Sequence, residues 1–413
     1  MSSALLSYEE AATQVAAFAA QRSRSNLRTE RVALVDASGR TLAQTLVADE
    51  DQPPFARSTR DGFACRALEV SAHGFLPVAG ATHAGEAAAG PLPPGAAWEI
   101  MTGAPVPGGA DAVVMIEHVE RVGNRIRLLP PRAIGAGENI VAQGAQARRG
   151  DVLLEPGAAL GPAQIALAAT CGHDALTVRA RPRVAILTTG DELVPVSAKP
   201  QPGQIRNSNA PMLAALVAAA GGEPWVLPAA VDTAEALDAA LAEAAQADLL
   251  LISGGVSAGK FDLVEPALAR RGAQFFFTGV RMQPGKPLVF GELPKEGEAL
   301  PFFGLPGNPV SSAVTFLLFG ATVLNALAGA EPQGPRMALA RLTAQVKSKN
   351  GLTRFLPGRW ESGLPAGQVP QAAAVQWQGS GDLAAFARAN CFLVVPEETA
   401  SLAAGDLVRI LIF

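Results

Sequence analysis

The chain has 413 residues, 49% of them hydrophobic and 17% charged, with 42 Gly, 32 Pro and a net charge of −4. At about 150 residues per domain, that length predicts two to three units with sizeable cores and excludes a disordered chain. The charge excludes the basic footprint of a nucleic-acid binder. The excess of Gly and Pro over ordinary usage predicts turns built close to a ligand.

Three scattered cysteines, Cys65, Cys171 and Cys391, show no CxxC or His-rich spacing, so neither a disulfide framework nor a zinc site is expected. The first residues, MSSALLSYEEAATQ, carry no basic segment and no long apolar run. They predict no signal peptide and a cytoplasmic location.

Residues 7–21 (SYEEAATQVAAFAAQ) read as an amphipathic helix capped by Ser7, with Glu10 three residues later. From Arg31 to about Pro131, short apolar runs broken by Gly and Pro (RVALVD, AVVMIEHV, RIRLLP) predict β-rich structure. Residues 161–171 read as a short helix. These parts form an N-terminal region, 1–180, taken as two units with the second (about 52–140) inserted into the first.

At Arg183 the pattern changes to alternating strands and helices, which predicts a doubly wound α/β unit over 181–330. Its last helix, in the stretch Val310 to Ala330, carries no charge and is long enough to span a bilayer. Ser311, Ser312, Thr315, Thr322 and Asn325 within it favour a buried core helix and no membrane contact. Strands return after Pro332 and make a small C-terminal β-domain, 331–413. The expected fold is thus α/β plus β.

Ligands of open α/β sheets bind beyond the carboxyl ends of the strands. Three loops there combine small residues with backbone amides suited to phosphate. They are Thr188-Thr189-Gly190-Asp191-Glu192, Ser253-Gly254-Gly255-Val256-Ser257 and Gly304-Leu305-Pro306-Gly307-Asn308-Pro309. Gly254 to Lys260 fits the start of a Walker A motif, but Phe261 stands where the Mg²⁺-binding hydroxyl would be, which argues against a P-loop NTPase. Glu192, Asp232 and Asp262 follow three successive strands. Carboxylates facing a phosphate loop repel the ligand unless a divalent cation intervenes, so Mg²⁺ held by Glu192 and Asp262 is expected.

Here the motifs resemble a known family. PPFARSTRDGFA (53–64), IMTGAPVPGGADAVV (100–114), TTGDEL (188–193), SGGVSAGKFD (253–262), QPGKP (283–287) and GLPGNPVS (304–311) are similar to the molybdopterin molybdenumtransferases, which include bacterial molybdenum cofactor enzymes and the E domain of gephyrin. The resemblance implies a homodimer of four-domain subunits and a central molybdopterin-binding α/β domain. The substrates it implies are molybdate and adenylylated molybdopterin, with Mg²⁺ as cofactor and AMP released. It further implies an active site shared between the α/β domain of one subunit and the second domain of the other. Transient contacts with the molybdopterin adenylyltransferase and with molybdoenzymes or their chaperones complete the implied partners.

By motif position, Asp61, Thr102, Glu192, Asp232, Asp262 and Lys286 carry over as catalytic residues. Thr189, Gly190, Asp191, Ser253, Gly254, Gly255, Ser257, Arg281, Pro306, Gly307, Asn308, Pro309, Arg354 and Ser380 are the expected pterin-nucleotide contacts. Gln146 stands where the family often has an acid, and Gly279 and Gln283 where it often has Lys. Arg281, two residues from each along an expected strand, should share their face and supply part of the lost charge, with Lys286 beside it. A non-catalytic scaffold and a hydrolase of another pterin nucleotide are the alternative readings; AMP release that depends on molybdate separates them.

Overall fold

The computed structural model describes residues 5–22, 28–72, 74–87, 90–255, 263–330, 334–362 and 369–413. Asp262, Ser257 and Lys260 lie outside the described residues.

The α/β unit is organised by three strands whose residues are almost all apolar: β1 (Arg183–Thr188), β3 (Leu249–Ser253) and β6 (Leu300–Leu305). Parallel strands covered on both faces need such runs. With β2 (Glu223–Val226), β4 (Gln274–Thr278) and β5 (Val289–Leu293) they form one sheet in the order β2-β1-β3-β6-β5-β4. Four neighbours run parallel, and β5 and β4 add antiparallel, so the sheet is mixed at one edge.

Alternate side chains serve opposite cores. Val184, Ile186, Leu249 and Leu251 pack towards the helices Asn209–Ala219 and Pro309–Leu327. Ala185, Leu187, Leu250 and Ile252 pack towards Ala234–Ala244 and Val264–Arg270. The uncharged helix Pro309–Leu327 has 78% of its most apolar window buried, with a π-turn over Phe316–Gly320. Thr315 inside it donates its hydroxyl to the Ser311 carbonyl at 2.8 Å, so burial leaves that group bonded.

The opening helix, Tyr8–Arg22, starts with the expected capping box: Ser7 N–H donates to Glu10 Oε2 at 2.7 Å and Glu10 N–H to Ser7 Oγ at 3.1 Å. Its stripe of Tyr8, Ala11 and Val15 packs on the α/β core, not on the β-rich part that follows it in sequence. Tyr8 meets the rings of Phe319 and Phe355 edge-on at 5.9 and 5.2 Å.

In the β-rich part, Thr29–Ala33 pairs with Ala175–Arg179 around one small core. A six-stranded sheet of residues 62–128, with its own core around Phe63, Val114 and Ile126, lies between them in sequence. At its centre Gly62 has no room for a side chain, since a Cβ would sit 1.9 Å from the Val114 carbonyl oxygen.

The C-terminal strands close on themselves. Thr353–Glu361 pairs with both Gln371–Ala374 and Cys391–Val395, and Met337–Leu342 and Leu407–Ile412 complete a ring of five. Closure leaves no free edge within the ring. One short strand of the α/β unit, Met282–Gln283, adds parallel to Thr353–Arg354 and ties the barrel to the PGKP turn.

Candidate active site

At the carboxyl edge of β1, β3 and β6 the three glycine-bearing loops meet around a cleft of about 440 Å³. Its lining includes Thr189, Gly190, Glu192, Asp232, Ser253, Gly254, Gly255, Pro306, Gly307, Asn308 and Pro309, all expected from sequence. Asn207, Ser208, Asn209 and Pro287 also line it. At one point two loops touch so closely that only glycine fits. A Cβ on Gly254, whose φ is +101°, would meet the Thr189 carbonyl oxygen at 2.6 Å. At Gly190 the backbone, with φ +144°, is what favours glycine, since the Glu192 carboxylate that a Cβ would meet is the end of a flexible side chain.

Not every amide in these loops is available to a ligand. Thr189 N–H donates to the Ser253 carbonyl at 3.1 Å, Gly190 N–H to Ala230 at 3.4 Å and Gly254 N–H to Leu305 at 3.2 Å. The N–H groups of Gly255, Gly307 and Asn308 have no partner among the described residues. Those three, two of them at the start of the helix Pro309–Leu327, are the kind of donors that suit an anion.

Beside them the acids converge. Asp232 N–H donates to Asp191 Oδ1 at 3.0 Å. Burial pushes the Asp232 carboxyl up, and the charges of Asp191 and Glu192 push it further. Among the described residues no three Asp, Glu, His or Cys side chains gather tightly enough to enclose a metal unaided.

The floor of the cleft was not legible as a site. Asn209, at the start of its helix, donates through Nδ2 to Ser253 Oγ at 2.8 Å and to the Gly307 carbonyl at 2.6 Å, knitting two loops together. Asn207 donates to Thr188 Oγ1 at 2.8 Å, and Ser312 is bonded to the Pro306 carbonyl. The sequence signal was the Asn-Ser-Asn run, which reads equally well as a helix cap.

The remaining expected residues fall into three groups. Gln283 and Arg354 are drawn together by the shared strand pairing, and the Arg354 guanidinium donates to Gln283 Oε1. The Ser380 carbonyl accepts from Val310 N–H at 3.0 Å, so the barrel side reaches the GLPGNP helix. Lys286 is exposed, with its carbonyl bound to Val280 N–H at 2.9 Å and no ion pair among the described residues.

Arg281 corrects the expectation. Its Nε donates to Glu397 at 3.0 Å and its Nη1 to the Leu5 carbonyl at 2.7 Å. The strand assumed to align it with Gly279 and Gln283 covers only Met282–Gln283, because Gly279 turns the chain at φ +144°. Arg281 fastens the N-terminal segment to the barrel, and its charge is already neutralised.

Asp61 and Thr102 form a pair outside the cleft lining. Thr102 donates both its N–H, at 2.6 Å, and its hydroxyl, at 2.7 Å, to Asp61 Oδ1. These bonds hold the Asp61 carboxyl below its ordinary range. The contribution is therefore present at neutral pH and lost as pH falls through the lowered value. Thr102→Val, which keeps the amide and deletes the hydroxyl, should move the Asp61 titration back up in a carboxyl ¹³C NMR experiment. An unmoved titration would mean that the hydroxyl bond does not form in solution.

Fold and cleft together define an α/β protein with a glycine-bearing cleft at the carboxyl edge of its sheet and a small closed β-barrel after it in sequence. Three family models account for the chain: the MoeA N-terminal region (domain I and II) over residues 6–172, a probable molybdopterin binding domain over 185–326 and the MoeA C-terminal region (domain IV) over 339–413. The molybdopterin molybdenumtransferase of Bacillus subtilis is 36% identical over 393 residues, covering 93% of this chain and 90% of that one. That of Synechococcus elongatus is 37% identical, covering 98% and 99%. The solved molybdopterin biosynthesis moeA protein of Pyrococcus horikoshii OT3 superposes with a TM-score of 0.81 at 30% identity, over 99% of this chain and 100% of that one. The chain belongs to the molybdopterin molybdenumtransferase family.

Proposed function

We propose that this protein inserts molybdenum from molybdate into adenylylated molybdopterin and releases AMP in a Mg²⁺-dependent step. The observation that carries the reading is the meeting of three amides without a partner among the described residues, at Gly255, Gly307 and Asn308, with Glu192 and Asp232 in one cleft. Phosphoryl chemistry asks for little beyond positioning and charge neutralisation. The amides take phosphate oxygens, and the close contact at Gly254 keeps the Gly255 donor fixed. Burial raises Asp232 first and the charges of Asp191 and Glu192 add to it; a bound cation would relieve that repulsion, so the donor set fits Mg²⁺, which takes one or two carboxylates and fills its shell with water and substrate phosphate. Glu192 and Asp232 would hold it, with Asp262 as the third candidate; when bound, it offsets the negative charge of the phosphoanhydride.

Asp61 and Thr102 stand apart from their own cleft. Together with the resemblance, this supports a homodimer in which the pair of one copy faces the cleft of the other. Asp61, with one oxygen taken up by Thr102, would then orient the molybdenum or dithiolene end of the substrate.

AMP release measured with and without molybdate and Mg²⁺ tests the reading. Both should be required, and release that ignores molybdate would sink it. Glu192→Gln and Asp232→Asn each remove one charged contact worth roughly 1.5–3 kcal/mol, so the Mg²⁺ requirement should rise about ten- to a hundredfold.

A further inference from the structure

Two oxygen atoms of residues that line the cleft have no hydrogen-bond partner among the described residues. Thr189 is 5% exposed, and its hydroxyl has no hydrogen-bond partner among the described residues. Asn209 Oδ1 is likewise buried and unpartnered. The two are linked through one residue: Asn209 Nδ2 donates to Ser253 Oγ at 2.8 Å, and Thr189 N–H donates to the Ser253 carbonyl at 3.1 Å.

The orientation of the Asn209 amide follows from chemistry. Its Nδ2 faces the Gly307 carbonyl at 2.6 Å, and a carbonyl oxygen can only accept. Turning the amide over would set two oxygens against each other, so Oδ1 is the atom left free. A buried polar atom without a partner costs about 1–3 kcal/mol, and buried polar groups are as a rule bonded. Asn209 Oδ1, which can only accept, therefore calls for an external donor, and the Thr189 hydroxyl, which can also accept, is placed to share it. Phosphate cannot be that donor, since a phosphate oxygen would be repelled by Oδ1 and has its own amides at Gly255, Gly307 and Asn308.

We propose that Thr189 Oγ1 and Asn209 Oδ1 form a donor-reading floor, which accepts hydrogen bonds from an N–H or O–H group of the substrate and fixes which way round it lies. This rests on the proposed function and adds a polarity to it. The phosphate goes to the glycine amides, and a donor-bearing head goes to the floor. Two heads of a pterin nucleotide carry such donors, the pterin ring with its amide and amino N–H groups and the ribose with its hydroxyls.

Thr189→Val is the variant of choice, because it deletes a hydroxyl that bonds nothing among the described residues and nearly preserves shape. Its melting temperature should be unchanged or higher, a readout that a structural role for the hydroxyl would move the other way. Affinities of wild type and variant would be measured by calorimetry for AMP, for 2-amino-4-oxopteridine and for inorganic pyrophosphate. Wild type should bind all three. The variant should lose about tenfold for one of the first two, as expected for one hydrogen bond of about 1.4 kcal/mol, and nothing for pyrophosphate. A loss confined to the pteridine assigns the floor to the pterin, and one confined to AMP assigns it to the ribose. Equal affinity of variant and wild type for all three probes would overturn the proposal, leaving a water-filled floor. Failure of wild type to bind any of them would overturn the functional reading itself.

Discussion

Gly254→Ala is expected to weaken nucleotide binding more than tenfold while leaving a folded but less stable protein. The backbone there has φ +101°, and the new Cβ would lie 2.6 Å from the Thr189 carbonyl oxygen. That oxygen belongs to the neighbouring loop's main chain, which cannot swing aside as a flexible side chain would. The conformational strain costs about 1–3 kcal/mol, or roughly 2–12 °C in melting temperature at 2–4 °C per kcal/mol. Relief of the contact must push the first two glycine loops apart, which misplaces the Gly255 amide. Affinity for AMP should therefore fall more than tenfold. Gly297→Ala is the control, since Gly297 has φ +83° with nothing within 4 Å of a Cβ. It should show the strain penalty alone. Equal melting losses with unchanged AMP affinity in both variants would mean that the loops are not held as described.

Mixing Asp61→Ala protein with Gly254→Ala protein should restore activity that neither has alone. If the site is shared across a twofold axis, half of the randomly exchanged dimers are mixed, and each contains one intact cleft facing one intact Asp61. Recovery of roughly a quarter of wild-type AMP release is then expected. No recovery after subunit exchange demonstrated by mass spectrometry would argue that each chain completes its own site.

Much of this architecture could be read from the residues because local chemistry is specific there. The runs Leu249–Ser253 and Leu300–Leu305 are apolar at nearly every position, a pattern that strands covered on both faces require. Ser7 and Glu10 announced a helix start by spacing alone. Glu192 and Asp232 were found because they follow strands, and an open sheet leaves that edge free for a ligand. What was missed depends on distant partners. The placement of Arg281 was inferred from a two-residue period that Gly279 interrupts, and Glu397, more than a hundred positions away, takes its charge. Which amides remain free could not be read from Gly content, since Gly254 and Gly255 look alike until Leu305 is known to claim the first. Closure of the barrel requires Thr353–Glu361 to pair on both sides, and no single segment encodes that.

The placement of the opening helix has a consequence for how the chain is made. Tyr8, Ala11 and Val15 leave the ribosome early, yet their partners in the core include Phe290, Phe303 and Phe319. At about 5–20 residues per second, the apolar stripe waits roughly 15 s to a minute for the strands that cover it. During that interval the β-rich part can complete its own sheet, because the Phe63, Val114 and Ile126 cluster draws on nothing synthesised later. The order of assembly expected from these partners therefore differs from the order of the sequence: the sheet of residues 62–128 can close before the opening helix, which is captured only once the α/β core exists.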